Sequence, residues 1–330
     1  MKVNLIFDGN YLYHLSFSVF STYYPGQDMS EVLADKEKQQ VLIRKCVMNM
    51  CSAARRFDGS INRVVVVIDS YSWRKSIYED YKYALTKVKD PWNDLFISVL
   101  GEFEALLRKR GLIVSRIPGA EGDDLMMLWA YAFNGLSDEE TIIMTADSDI
   151  RQLITPNVSI FNFNSKFLKF YCHPAKEAYW NGCLPVDIQV IAINPLEIIL
   201  YKVLMGDKSD NILKVRKGFG EKAFSKFIDS VKQHYQGKLP STQKFEGYSC
   251  TKFALWIQSQ FERFLGNKLA VEEIGQILFN VRLTWLSPSV YEGKNEDILV
   301  NMAQEIGDTA NSYSYNRAYT LEEFYGALIK

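Results

Sequence analysis

Acidic residues recur in this chain in short groups whose spacing suits cation binding. Gly119-Ala120-Glu121-Gly122-Asp123-Asp124 sets three acids at the start of an apolar, helix-like run, with Glu121 and Asp124 on one helix face. Thr145-Ala146-Asp147-Ser148-Asp149 places two aspartates beyond a strand-like segment, where extended backbone projects both to one side. Gly206-Asp207-Lys208-Ser209-Asp210-Asn211 repeats the pairing after a helical segment, and Asp8 and Asp69 each close a short apolar run. Any one pair alone reads as a solvated loop, and acids favour helix starts because the macrodipole stabilises them. Together, Asp8, Asp69, Glu121, Asp123, Asp124, Asp147, Asp149, Asp207 and Asp210 would repel one another and raise each other's pKa values, which makes sense around cations. Oxygen donors without histidine or cysteine select hard ions, Mg²⁺ or Mn²⁺, which keep waters and bind substrate phosphates. Two such ions suit a phosphoryl displacement, one for the attacking and one for the leaving oxygen.

The hydrophobic pattern shows which elements must position these acids. Val3-Asn4-Leu5-Ile6-Phe7 leads to Asp8, Val64-Val65-Val66-Val67-Ile68 to Asp69, and Thr141-Ile142-Ile143-Met144-Thr145-Ala146 to Asp147. Such short, mostly β-branched runs predict strands buried on both faces of a parallel sheet. Helical spacing over 37–57 (Val41, Cys46, Val47, Met50, Ala54) and 92–110 (Phe96, Val99, Leu100, Phe103, Leu107) alternates with them. That alternation is the signature of an α/β fold, whose ligands gather at the carboxyl ends of the strands. Stretches 158–162 and 167–171 predict a hairpin turning through Asn164-Ser165. Near residue 190 the pattern changes. Helices over 195–205 and 221–231 flank a glycine-bearing loop, a polar linker or mobile loop covers 233–248, and a mostly helical remainder has loops at Ser287-Pro288 and 308–315. Two units are expected, 1–190 and 191–330.

The chain has 330 residues, 48% apolar and 14% aromatic, ample for a packed core and incompatible with disorder as its main state. No apolar run approaches the length that spans a bilayer, and the N-terminus lacks a signal-peptide pattern, so no membrane role is expected. Five cysteines (Cys46, Cys51, Cys172, Cys183, Cys250) without a C-x-x-C pair point to reduced thiols and a cytoplasmic location. Three scattered histidines (His14, His173, His234) argue against a histidine-rich metal site. The balance of 38 Lys+Arg against 39 Asp+Glu argues against nucleic acid at first count, but setting the nine grouped acids aside leaves 30 acids against 38 bases. An acidic pocket in a basic body can hold a phosphate backbone.

Taken in order, Phe7-Asp8-Gly9-Asn10, Ile68-Asp69-Ser70 with Trp73-Arg74 and Tyr81-Lys82, Ala120-Glu121-Gly122-Asp123-Asp124, Thr145 to Asp149, and Gly206 to Ile212 resemble the motifs of the flap endonuclease / 5′→3′ exonuclease family in its free-standing phage form. The resemblance covers about residues 1–235. It implies a PIN-like α/β nuclease domain, mostly parallel sheet flanked by helices, over 1–190 with a helical arch at about 70–92. A helix–three-turn–helix and a helical C-terminal region would follow over 191–330. The implied chemistry is two-metal hydrolysis of phosphodiester bonds in 5′ flaps, nicked duplex or RNA–DNA primers during replication or repair, with all nine acids serving the metals directly or through water. Lys82 would neutralise the scissile phosphate and Arg74 would help position the strand. The family also implies K⁺ on the carbonyls of the Gly218-Phe219-Gly220 hairpin. Two departures stand out. Tyr81-Lys82-Tyr83-Ala84-Leu85 lacks the arginine of the family's Y-K-x-N-R, and Leu213 to Gly220 keeps only the final Gly-x-Gly of P-G-V-x-G-I-G.

Aromatics interleave with bases from Ser70 to Pro91, including Tyr71, Lys75, Tyr78, Tyr81, Lys82, Lys87 and Lys89. Rings that stack on bases and charges that follow phosphates suit a single strand, although such stripes also form helix core faces. Lys214, Arg216, Lys217 and Lys222 surround Gly218 and Gly220 ahead of a helix start, a setting for duplex phosphate. Expected partners are branched or nicked DNA, RNA–DNA hybrid, and a single-stranded-DNA-binding protein or sliding clamp, with the chain a monomer. A catalytically weak branched-DNA-binding scaffold is the alternative from another class, opposed by the complete acid set. PIN-type ribonucleases are smaller and lack the arch and the 206–220 hairpin. A phosphatase using Asp8 as nucleophile would want an acid where Asn10 stands.

Overall fold

The computed structural model describes residues 2–57, 60–82, 93–134, 139–164, 168–291 and 296–310. The chain runs β1 (Lys2–Asp8), α1 (Gly9–Ser21), α2 (Met29–Ala34), α3 (Lys36–Ala54), β2 (Ser60–Val67), α4 (Asn93–Lys109), β3 (Ile113–Ser115), α5 (Gly122–Asn134) and β4 (Glu139–Met144). It continues through β5 (Val158–Asn162), β6 (Lys169–Cys172), α6 (Glu177–Cys183), β7 (Gln189–Ala192), α7 (Pro195–Met205), α8 (Glu221–His234), α9 (Cys250–Leu265), α10 (Val271–Thr284) and α11 (Glu296–Ala310).

The seven strands form one sheet in the order β3-β2-β1-β4-β5-β6-β7, and neighbours are parallel except at β5–β6. The apolar runs of the three acid-bearing strands are continuous because each strand feeds two cores. Leu5, Phe7, Val64, Val66, Ile142 and Met144 enter the core beneath α1, α3 and α4. Ile6, Val65, Val67 and Ile143 enter the other, beneath α5 and the helices after residue 190. Register aligns the strand ends. Phe7 pairs with Val66 on one side and Met144 on the other, so Asp8 and the residues just past β2 and β4 share one edge.

Several expectations shift. The short β3 and β7, and α1 directly after Asp8, carry no clear local pattern, yet they complete the sheet and its cover. The β5–β6 hairpin is antiparallel as read, while 165–167 lie outside the described residues. Val41, counted on the core face of α3, is exposed. The segment read as a polar linker is not loose: α8 runs to His234, and Phe245 is buried against Phe253 and Trp256. The expected arch divides. Residues 83–92 fall outside the described residues, whereas within 70–82 Ser72, Trp73, Arg74 and Tyr81 are buried. The core beneath α5 continues through α7, α8, α9 and α10, so the helical region builds directly on the sheet layer. Among the described residues, no helix is long and apolar enough to cross a membrane.

Candidate metal centre

Asp8 ends β1 and caps α1, accepting from the Tyr11 N–H at 2.8 Å and from the Thr145 hydroxyl at 2.8 Å. A side chain at position 9 would put Cβ 2.7 Å from the Val67 carbonyl oxygen, so only glycine lets α1 leave the strand so close to β2. Asn10 accepts the Asp69 N–H at 2.9 Å, and Asp69 accepts the Gly122 N–H at 2.6 Å, joining β1, β2 and α5. Beyond β4, the Asp147 N–H donates to Thr145 Oγ1 and the Asp149 N–H to Asp147 Oδ1 at 2.8 Å. After α7, the chain reverses through Gly206 at φ 70°, where a Cβ would meet the Ile212 carbonyl oxygen at 2.4 Å. That reversal brings Asp207 and Asp210 to the same edge. Carboxylate oxygens of Asp149, Asp207 and Asp210 all lie within 4.8 Å of one another.

Two electrostatic regimes result. Among the described residues Asp8, Asp69, Asp123 and Asp147 form no ion pair. Burial, with the charges of Asp69 and Asp147, pushes Asp8 up to about 7. Burial and neighbouring acids likewise raise Asp69, Asp123 and Asp147. Burial also lifts Asp210 to about 6, despite the opposing charge of Lys82. The rest are compensated. Lys202 bridges Asp149, at 2.5 Å, and Asp207. Burial would raise Asp207, but its bonds from Lys202 and Ser209 outweigh that and lower it. Burial would raise Glu121 too, but Arg74 and Lys82 hold it down at about 2.

Arg74 departs from its sequence reading. It is 2% exposed and gives its guanidinium to Asp124 at 2.8 Å, to Glu121 at 2.7 Å and to the Leu283 carbonyl at 2.9 Å. It is an internal counter-ion and cannot hold a strand in this arrangement. Asp124 is equally enclosed, with the Trp73 indole N–H at 3.2 Å and the Glu121 N–H at 3.0 Å. Glu121 and Asp124 therefore balance Arg74 and do not stand free for a cation. Tyr81 is 4% exposed, with its hydroxyl 3.3 Å from both Glu121 and Asp210, so it is no stacking platform. Arg216 is also occupied, forked onto Glu273 at 2.6 and 3.2 Å, while Phe219 between the two hairpin glycines is buried. Lys214, Lys217, Gly218 and Lys222 are exposed, and Lys75 and Gly220 are partly so.

Lys82 stands where these groups meet. Its backbone has φ 54°, a left-handed conformation unusual outside glycine, and its N–H donates to the Asp210 carbonyl at 3.2 Å. Its ammonium contacts Glu121 at 2.5 Å, and its charge opposes the upward shifts of Asp69, Asp123, Asp147 and Asp210. The side chain keeps 31% exposure, enough to face a ligand. Sequence reading missed Lys202, Thr145, Asn10 and Ser72, whose hydroxyl donates to Glu121 at 2.8 Å. Asn10 and Thr145 stand within the motifs quoted above without a role of their own, and Lys202 had a local signal, a basic residue in the last helical turn five positions before Asp207.

An oxygen-only donor set, with four clustered acids that form no ion pair among the described residues, fits hard divalent cations, which offset the mutual repulsion of such acids. In the curated relatives, a 5′-3′ exonuclease of Buchnera aphidicola (subsp. Acyrthosiphon pisum) is 27% identical over 164 residues, covering 48% of this chain and 50% of the relative. The chain thus spans about half the length of that relative. A 5′-3′ exonuclease of Mycoplasmopsis pulmonis is 24% identical over 335 residues, covering 98% of this chain and 94% of the relative. In solved structures, the T5 D15 protein co-crystallised with metal ions superposes with TM-score 0.60 at 18% identity, covering 94% of this chain and all of that one. The T5 D15 flap endonuclease in complex with DNA and metal ions gives 0.58 at 17% identity, with the same coverage. At such identities these superpositions speak for the fold, and the mostly parallel, PIN-like α/β architecture expected above is the one observed. The profile described as the 5′-3′ exonuclease N-terminal, resolvase-like domain matches residues 3–179, more than half of the chain, and the protein belongs to that family.

Proposed function

We propose that this chain is a divalent-cation-dependent, structure-specific 5′ nuclease that hydrolyses phosphodiester bonds in 5′ flaps, nicked duplex or RNA–DNA primers. One observation carries the reading: Asp8, Asp69, Asp123, Asp147, Asp149, Asp207 and Asp210, drawn from five separate segments, converge on one sheet edge beside the partly exposed ammonium of Lys82. Asp8, Asp69, Asp123 and Asp147 would hold one Mg²⁺ or Mn²⁺, and Asp149, Asp207 and Asp210 a second. Such ions, when bound, supply an activated water and charge for the leaving oxygen.

The chain's own residues supply position and charge. Lys82 exchanges Glu121 for the scissile phosphate, an electrostatic contact of the kind that acts in the transition state. Its left-handed backbone and the Asp210 carbonyl aim it, and its ammonium lies over the Tyr81 ring, 5.2 Å from the centroid. Arg74 keeps Glu121 and Asp124 from adding two uncompensated charges. Lys214, Lys217 and Lys222 hold duplex phosphates at the Gly218–Gly220 hairpin, where a K⁺ on backbone carbonyls belongs to the same reading. Lys75 is left as the single-strand contact. A monomer acting in the cytoplasm on branched DNA or RNA–DNA hybrid, alongside a single-stranded-DNA-binding protein or sliding clamp, with units at 1–190 and 191–330, completes the proposal.

The test uses a 5′-labelled flap and a blunt duplex, each with Mg²⁺ or EDTA. Flap cleavage with Mg²⁺ and none with EDTA is expected. Cleavage in EDTA would remove the metals, and flap binding without cleavage in Mg²⁺ or Mn²⁺ would leave a binding scaffold.

A further inference from the structure

The two groups of acids differ in one respect that bears on how they take up cations. Asp8, Asp69, Asp123 and Asp147 form no ion pair among the described residues, whereas Asp149 and Asp207 share the ammonium of Lys202. Lys202 lies in the last turn of α7, with its side chain 15% exposed. The Gly206 reversal, tied by Asp207 N–H to Ile212 carbonyl at 2.9 Å and Ile212 N–H to Asp207 carbonyl at 2.7 Å, folds the acid-bearing loop back onto it. The ammonium thus contacts two of the three carboxylates whose oxygens lie within 4.8 Å of one another. We propose that Lys202 is a tethered counter-cation at the second cation position, so that the second divalent ion must displace it, whereas the first breaks no ion pair among the described residues.

The physical consequence is an asymmetric site. A fixed single charge held by two of the three acids lets the loop assemble without metal, since unpaired carboxylates at this spacing repel. The same charge repels an incoming divalent ion and must lose its two carboxylate bonds before that ion can bind. Lys202 is then a positioning residue that trades metal-free order against affinity at the second position. This inference rests on the metal-centre reading above.

Mn²⁺ binding to the full chain, followed by calorimetry and by the free-ion electron paramagnetic resonance signal, separates the two. Wild type should bind one ion tightly and a second more weakly. Lys202→Met should strengthen the weak step by at least about tenfold, the effect of removing one nearby like charge, and lower the melting temperature in EDTA. Lys202→Arg should restore both towards wild type, and Lys202→Gln replaces Lys202→Met should the latter not fold. A structural role alone would weaken both steps instead. Equal or weaker second-ion binding in Lys202→Met or Lys202→Gln overturns the proposal while leaving the metal centre intact. No Mn²⁺ uptake by wild type or variants overturns the metal centre itself, and this inference with it.

Discussion

Arg74 shows how far a residue's role can move once its surroundings are known. Its guanidinium is buried and answers two carboxylates at once, so removing it leaves Glu121 and Asp124 charged and enclosed. Breaking a buried pair on one side typically costs about 3–5 kcal/mol. Arg74→Met should lose about that much in urea unfolding, with Arg74→Lys between it and wild type, because an ammonium cannot fork across both acids. Wild-type stability combined with weakened flap binding would return Arg74 to the DNA surface. Asp8 makes the opposite case. Because burial lifts it to about 7, the fold takes up a proton between the ordinary aspartate range and that value, and metal-free stability falls as pH rises through this window. Asp8→Asn keeps the acceptor for the Tyr11 N–H, turns the Thr145 contact into one that the amide donates, and has no charge to lose. Melting curves in EDTA should converge towards about pH 4 and separate towards about pH 8, with the variant roughly 2–4 °C higher. Parallel curves across that range would mean that Asp8 is not uncompensated.

Two glycines set the elements against one another, and they should fail differently. At Gly122, the start of α5, an added Cβ would lie 2.6 Å from Asp69 Oδ1, an atom at the end of a side chain that can rotate away. Gly122→Ala should therefore fold nearly as well as wild type but turn Asp69 out of place. Single-turnover flap cleavage should fall by about two orders of magnitude, the scale of a displacement near 1 Å at a reacting centre. At Gly206 the obstruction is backbone, at Ile212 and Leu213, and φ is 70°. Gly206→Ala should cost about 1–3 kcal/mol of stability or more, because neither chain segment can yield cheaply. Thermal unfolding and cleavage measured on both variants check the contrast, and equal damage to stability would refute it.

At the scale of the molecule, near-neutral net charge conceals a division between an acid edge and a basic remainder. If the exposed hairpin bases hold duplex DNA, Lys217→Ala with Lys222→Ala should flatten the log–log salt dependence of duplex-flap binding by roughly one unit per lost phosphate contact. A single-stranded overhang should lose less, and an unchanged slope on duplex would leave the hairpin a structural turn. The helical region is joined to the centre as well as to the sheet. Arg74 donates to the Leu283 carbonyl, Gln152 exchanges bonds with Thr284 and Leu286, and Asn280 donates to the Val203 and Leu213 carbonyls on either side of the acid-bearing loop. The helices past residue 250, unassigned from sequence, hold that loop in place.

By itself, the sequence determined the three buried strands, the helices between them and the residues at their carboxyl ends, because apolar runs and helical periodicity are local and parallel register then brings Asp8, Asp69 and Asp147 to one edge. The spacing of Asp207 and Asp210 was equally legible, since the turn that places them needs a local glycine. What only the tertiary structure decided is which charges cancel. Glu121 and Asp124 look like any other members of the acid set until Arg74, 47 and 50 positions away, is buried between them. Lys202 looks like a helix-end lysine until the Gly206 turn carries Asp207 back and β4 delivers Asp149. Charge compensation depends on distances across the fold and on the water excluded between the partners, and neither is written in the order of residues along a chain.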